Sequence, residues 1–550
     1  MLAHILNYEP KTLSYLIYKL PDAQKYTVFE IPKKSGGVRQ INAPTSRLKL
    51  LQKRLSDLLY EAAEEIDAES QRKPLSHGFR YSRSIITNAS PHKNRRFVLN
   101  LDIENFFASF NFGRVRGFFQ KNSSFALNEK ISTIIAQIAC YNNALPQGSP
   151  CSPIISDLIA HVLDVRLVQL AKTHKCTYTR YADDITFSTN QKEFPSALAF
   201  REDEEHSEWL LGQELTQAII SAGFSVNDNK TRMQCSTSRQ LVTGLTVNKK
   251  VNIRADYYRR ARAACDSLFN TGKYFWPGPI LPPAPIATTS KIEGVLNHIH
   301  FVKDTSDRRE NIDKKAKPTA ARALYKDFLF FKYFVNLDRP LVLCEGKTDP
   351  IYLKAAIQKL TAFHPQLAVT DGKSIKLNIA FFNYNNLAHD ILELGGGTGL
   401  LLFLIRDYQE TMLKFKYAPM SRPVIILIDN DSGAKQIFSI VQQKFKLNPS
   451  LTSNASFYFL CHNLYLIKTP EKGATGVSMI EDFFEAPLLA TAFEGKTFNS
   501  TNKESSPTEF GKAAFADFVR NNASKIDFSN FSALLDRIVA VLNDYKPPKK

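Results

Sequence analysis

Cysteine, methionine and tryptophan are scarce in this 550-residue chain, at seven, five and two copies. The cysteines (140, 151, 176, 235, 265, 344 and 461) are odd in number and scattered, and no CxxC pair is present to clamp zinc. A disulfide framework and a zinc site are therefore excluded, and the expectation is reduced, buried thiols in a cytoplasmic protein. Long apolar runs are also missing: stretches such as LLLFLI at 400–405 fall well short of a bilayer span, and MLAHILNYEPKT lacks a basic segment followed by a long apolar one. Neither secretion nor a membrane partner is expected. Acid is in deficit, with 53 Asp and Glu against 71 Lys and Arg, giving +18. Residues 341–550 carry 23 basic and 20 acidic side chains, net +3, which leaves +15 on residues 1–340. Such a field favours a polyanion, most often nucleic acid, concentrated on the first part, although charge alone also fits a merely soluble basic protein.

What is present is apolar material for several cores: 44% hydrophobic and 11% aromatic residues. The length predicts about two to four domains. Residues 1–245 alternate helical stretches (46–66, 128–140, 152–174) with short β-rich runs (96–103, 177–189), an α+β pattern. Residues 246–335 read as mostly helical, interrupted by FWPGPILPPAPIATTS, whose prolines forbid a helix. Near Asp338–Pro340 the texture changes. From 336 to 550, buried strands (LVLCEG, VIILIDN) alternate with helices, the signature of a parallel α/β sheet with a helical C-terminal extension.

Two acidic constellations carry chemistry. TYTRYADDITFST reads as a hairpin with Asp183 and Asp184 at its tip, and RRFVLNLDIENFF as a strand ending at Asp102. Adjacent acids at a hairpin tip are ordinarily a solvated turn. Facing Asp102, however, they would form a three-carboxylate site able to hold two Mg²⁺ ions about 4 Å apart for nucleotidyl transfer. Between them LPQGSPCSPIISDLIA places a tight Gly148 turn before a helix.

Together and in this order, Asp102, LPQGSP and YADD resemble the palm of reverse transcriptases, with fingers, palm and thumb arranged as a right hand. The resemblance extends over residues 28–245. It implies that Lys34 and Arg39 of IPKKSGGVRQINAP meet the incoming triphosphate, that Phe106 is the aromatic gate excluding a ribose 2′-OH, and that Gln147 lies beside the nucleotide. Deoxynucleotides are the implied substrates. Asn88-Ala89-Ser90-Pro91-His92 resembles the NAxxH motif, and Val242-Thr243-Gly244 the VTG motif, of bacterial retron reverse transcriptases, which implies that Asn88, His92, Val242, Thr243 and Gly244 bind RNA. That family implies a cognate noncoding RNA (msr-msd) as RNA partner and branched multicopy single-stranded DNA (msDNA) as product, with group II intron enzymes as the alternative family. Residues 257–304 would be the RNA-gripping thumb, with Arg259, Arg260 and Arg262 on phosphate. A basic helix face is more often simply solvated.

In the last part, LVLCEGKTDPIYL puts Glu345 at a strand end and Asp349 at a helix start, and VIILIDNDSGAK ends a strand with Asp429 and Asp431. Strand-end acids lie where α/β folds place ligands, and they also serve as plain helix caps. The EGxxD…DxD pairing resembles the Toprim domain of topoisomerases, bacterial primases and overcoming-lysogenization-defect nucleases. It implies Glu345 as general acid or base and aspartates holding one or two Mg²⁺. VSMIEDFFE adds Glu481 and Asp482, as a second metal site or as an acidic helix start. GGGTG (395–399) lacks the Lys-Ser/Thr of a phosphate-binding loop, so no ATP site is expected. The combined expectation is a retron reverse transcriptase fused to a Toprim effector in a toxin–antitoxin-like phage defence, acting on cellular nucleic acid or, alternatively, a binding module that docks msDNA. Assembly into a homo-oligomer with msDNA is part of the same expectation.

Overall fold

FVLNLD and DITFST, rich in β-branched and aromatic residues and buried at consecutive positions, build the sheet that carries the first acids. In the computed structural model, Phe97–Asp102 is flanked by Asp184–Thr189 on one side and Arg232–Cys235 on the other, and Thr177–Tyr181 completes a four-stranded antiparallel sheet at the edge. The structure describes every residue except 1, 34–35, 72, 202–208, 277–285, 287, 373, 491–495, 500–508 and 549–550. The helix Ser46–Glu69 buries Leu48, Leu51, Leu55 and Leu59, spaced three and four apart so that they share one face. Pro153 opens the helix Ser152–Thr173, where its missing N–H costs nothing. A seven-pair hairpin, Tyr26–Pro32 with Val38–Pro44, is exposed over most of its length.

The chain divides into two compact units, residues 1–255 with 302–306, and residues 256–301 with 307–550. The compact units thus part near Ala255, close to the expected edge at 245–246, and most of the segment 256–335 falls in the second unit. The reason is aromatic packing: Phe269, from the helix Ala255–Thr271, stacks with Phe331 and Phe415 at 5.4 and 5.1 Å, and its carbonyl accepts the Tyr417 N–H. The helical segment expected as a thumb thus shares a core with the α/β region. The proline-rich stretch 277–285 lies outside the described residues.

LVLC and VIILI are apolar at every position, as strands covered on both faces must be. They form the centre of a five-stranded sheet ordered Ala380–Phe381, Leu341–Cys344, Val424–Ile428, Leu464–Lys468, Tyr458–Cys461, parallel except for the last strand. Helices Asp349–Lys359, Thr398–Met412 and Ala434–Phe445 make the crossovers. After Leu341–Cys344 the chain first adds a strand on one side and then returns to the other, so the strand order reverses between Leu341–Cys344 and Val424–Ile428. Ligands in open α/β sheets bind at that crevice, beyond the carboxyl ends of the strands. Helices Lys512–Asn522 and Ser532–Asp544 close the unit over Tyr352, Phe484, Phe515 and Phe531.

All seven cysteines are free thiols; four are buried and Cys140, Cys176 and Cys235 are half-buried, so full burial of every thiol is not what the fold provides. Among the described residues no helix is long and apolar enough to cross a membrane.

Candidate active sites

The cross-strand register sets Asp102 directly opposite Asp184. Opposed residues in an antiparallel pair have Cβ atoms roughly 5 Å apart, and like charges there repel unless a cation lies between them. The two-residue turn is Ala182-Asp183, with Asp184 already opening the next strand, a one-residue correction to the expected Asp-Asp tip. Asp183 therefore stands one residue from the opposed pair, and its carbonyl accepts the Ile103 N–H at 3.0 Å. Burial raises Asp183, with Asp102 adding to the rise and Lys230 and Arg39 acting against it. Burial, then the Asp183 and Asp102 charges, push Asp184 up to about 7. Carboxyls crowded and buried in this way are relieved by a neighbouring positive charge. Lys230 Nζ, 2.8 Å from Asp102 Oδ2, supplies one such charge.

The LPQGSP turn is fixed from both sides. The Gln147 carbonyl accepts Asn42 N–H from the exposed hairpin at 2.8 Å, and Ser149 Oγ donates to Gln52 Oε1 at 2.8 Å. Gly148 has φ +119°, and a Cβ there would lie 2.9 Å from the Asn42 carbonyl oxygen, so only glycine fits. The Gln147 side chain is half-buried, and Arg39 is exposed on the hairpin strand Val38–Pro44. Lys34 lies outside the described residues. Phe106 is 4% exposed and packs edge-on to Phe110 at 5.0 Å and stacked on Phe224 at 6.1 Å.

The two short motifs meet in space. Asn88 Nδ2 donates to Thr243 Oγ1 at 3.4 Å, and Thr243 Oγ1 donates to the Ile85 carbonyl at 3.4 Å. His92 is fully buried, its ring nitrogens 2.7 Å from Ser188 Oγ and 2.8 Å from Thr179 Oγ1. Burial pushes His92 down to about 3, with the nearby Arg95 charge adding to the effect, so the ring is neutral. The side chains of Asn88, His92 and Val242 are therefore interior groups, and direct RNA contact by them is corrected on that ground. Half-buried Thr243 and exposed Gly244, both at positive φ (+44° and +82°), are the motif's surface. Arg259, Arg260 and Arg262 are exposed on the helix Ala255–Thr271, with Arg260 paired to Asp256 at 2.6 Å.

In the second unit, Glu345 and Asp429 follow neighbouring parallel strands, and Glu345 Oε2 accepts the Asp429 N–H at 3.1 Å. Asp349 is buried; its carboxylate accepts the Gly346 N–H at 2.7 Å, so it caps its own turn while facing the other acids. Glu481 is buried and pairs with Lys512 at 3.1 Å. Burial, and then neighbouring carboxylates, push Glu345 up to about 7, Asp349 to about 6 and Asp429 to about 8. Burial alone would lower Lys512, but Glu481, Asp429 and Asp349 hold it above its ordinary value. Asp431 Oδ1 accepts the Gly433 N–H at 2.7 Å. Asp482 turns away, its carboxylate capping Met479 N–H at 2.7 Å, the helix-start role. The glycine turn closes on this site: Gly397 N–H donates to the Glu345 carbonyl at 2.9 Å.

Among the described residues, no three acidic, histidine or cysteine side chains close to ligand spacing around one point. In each site the acids crowd together and a lysine, 230 or 512, bonds one of them. The donor chemistry fits Mg²⁺, a hard cation taking carboxylate oxygen, in both places. Neither lysine was legible in the sequence: Lys512 lies far along the chain from DxD, in no spaced motif.

A reverse transcriptase (RNA-dependent DNA polymerase) family model matches residues 31–254. The chain is 36% identical over 256 residues to retron Mx65 reverse transcriptase of Myxococcus xanthus, covering 43% of this chain and 55% of that protein. It is 34% identical over 263 residues to retron Ec86 reverse transcriptase of Escherichia coli, covering 47% of this chain and 74% of that protein. The matched region is thus about half of Mx65 and three quarters of Ec86. A solved telomerase from Candida albicans, in complex with a fragment of telomeric RNA, aligns at 10% identity and TM-score 0.31 over 62% of this chain and 64% of that chain, too slight a likeness to bear on function.

Proposed function

Because the chain belongs to the retron reverse transcriptase family, we propose that it is an RNA-directed DNA polymerase that makes branched msDNA from its own msr-msd noncoding RNA and deoxynucleotides. The opposition of Asp102 to Asp184, with Asp183 in the adjoining turn, carries this reading. Asp102, Asp183 and Asp184 would hold Mg²⁺, which when bound activates the primer hydroxyl and neutralises the leaving pyrophosphate. The protein's own part is to set Asp102 opposite Asp184 with Asp183 in the adjoining turn, and to carry Arg39 on the hairpin as the group that would meet the triphosphate. Asp102→Asn and Asp183→Asn should each lower primer extension on the cognate RNA at least about 100-fold with an unchanged melting temperature. Full-length product from either variant would overturn the assignment.

For residues 336–550 we propose a Toprim-type, metal-dependent nuclease acting on cellular nucleic acid in phage defence, with Glu345 as general acid or base and Asp349, Asp429, Asp431 and Glu481 as the metal-holding set. The crowding of Glu345, Asp349 and Asp429 at the strand-order reversal supports it. A docking role for msDNA is favoured by one observation, the Lys512–Glu481 pair that already neutralises part of the cluster. Cleavage of RNA and DNA by the purified protein with Mg²⁺, lost on Glu345→Gln, distinguishes the two.

A further inference from the structure

Directly behind the acidic hairpin lies an ion-pair network that the chemistry itself does not use. Arg180 is fully buried. Its Nε donates to Asp164 Oδ1 at 2.7 Å, and its Nη2 to Asp164 Oδ2 at 2.7 Å and Asp157 Oδ1 at 3.0 Å. The remaining nitrogen, Nη1, donates at 3.1 Å to the carbonyl of Ala182, the first residue of the turn that carries Asp183. Asp157 and Asp164 are seven apart on the helix Ser152–Thr173, two turns on one face, and that helix follows directly from LPQGSP. Asp157 Oδ2 also accepts Arg80 Nε at 2.6 Å, and Tyr178 Oη donates to Asp164 Oδ1 at 2.7 Å.

The same turn is held from its other side. Ala182 has φ +55°, a region a non-glycine residue enters only when its surroundings compel it. The His77 N–H donates to the Arg180 carbonyl at 2.7 Å, and a Cβ on Gly78 would come within 2.6 Å of the Ala182 nitrogen. Gly78 therefore presses backbone against backbone at the turn. Buried ion pairs of this kind seldom stabilise a fold more than well-packed apolar side chains do, so stability does not explain the network. A guanidinium fork locked by two carboxylates offers a single fixed direction for its last N–H, and that direction is the Ala182 carbonyl.

We infer that Arg180 is a positioning residue for DNA synthesis: it transmits the placement of the helix after LPQGSP to the Ala182-Asp183 turn, and Gly78 completes the clamp. The inference rests on the polymerase reading above. Lysine at 180 would keep the buried charge but lose the fork and the Nη1 bond.

The test is primer extension by full-length Arg180→Lys on the cognate RNA, with dNTP and Mg²⁺ titrations, beside wild type and Asp183→Asn. A positioning role predicts kcat reduced at least about 10-fold, KM for dNTP within about twofold, a weaker apparent Mg²⁺ affinity, and a melting temperature near wild type. Wild-type kcat and Mg²⁺ dependence in a folded Arg180→Lys would overturn it. Should that variant fail to fold, Gly78→Ala decides, because it displaces the turn and leaves every ion pair in place; the same kcat and Mg²⁺ signature supports the inference, and unchanged kinetics refute it. Absence of synthesis by wild type itself, or full activity in Asp183→Asn, would instead reject the polymerase reading.

Discussion

At the residue scale, the chemistry is decided by how little room side chains have. Phe106 illustrates this: it is 4% exposed, wedged between Phe110 and Phe224, four residues past Asp102. Truncation to alanine removes packing on one side and opens space beside the acids on the other. Phe106→Ala should cost about 3–5 kcal/mol of stability, and by opening space beneath the sugar it should let ribonucleotides compete with deoxynucleotides. Incorporation assays with each nucleotide class, together with a melting curve, check both halves. Unchanged discrimination in a destabilised protein would leave Phe106 as core alone. Asp183 and Asp184 show the opposite case, where burial first and then the neighbouring carboxylates push Asp184 up to about 7.

At the element scale, buried histidine in the palm makes stability depend on pH. His92 is pushed down to about 3 and His77 to about 4, both by burial first, from ordinary values near 6.5. A depressed folded-state value means that the unfolded chain binds more protons between about pH 6.5 and pH 3, so folding loses free energy as pH falls through that window and is indifferent above it. The raised carboxyls of Asp184, Glu345, Asp349 and Asp429 act with the opposite sign between about pH 8 and pH 4, so the histidine effect is read as a difference: denaturant melts of the full chain should show wild type losing stability relative to His92→Gln as pH falls from about 6.5 to 4. An unchanged slope in that variant would mean the acid sensitivity arises elsewhere.

The same elements show what could be read in advance. The helices after LPQGSP and after Asp349 announced themselves through proline at the first turn and apolar spacing, and the parallel strands through unbroken apolar runs. The hairpin turn lies one residue before the place the Asp-Asp pair suggests, since aspartate tolerates positive φ better than alanine. Local preference was overruled by Gly78 and Arg180, which are distant from that choice in sequence or hidden from it. Asn88 and His92 looked like polar groups awaiting RNA, since nothing local reveals that Thr243, Ser188 and Thr179 are their partners. Lys230 and Lys512 were invisible for the same reason.

At the scale of the whole molecule, two acid sites reside in two compact units, and the basic excess lies mainly in residues 1–340. Changes at sites that share no partners add. Glu345→Gln and Asp429→Asn should therefore leave msDNA synthesis at the wild-type level while abolishing phage protection or toxicity in cells. Protection that persists in both variants would exclude Toprim catalysis as the effector mechanism. If residues 336–550 act as the proposed nuclease, that activity must be restrained in a healthy cell, and on the same proposal the polyanion held by this basic chain would be the product of its polymerase. Contacts to many phosphates release counterions, so such a complex weakens steeply with salt. Digesting the DNA portion of the purified complex should then release Mg²⁺-dependent cleavage of cellular RNA or DNA, and raising salt before assay at a common ionic strength should do the same. Equal cleavage before and after digestion would refute restraint by the product. No cleavage in either sample, alongside intact DNA synthesis, would turn residues 336–550 into a docking module, with Lys512 as its resident countercharge.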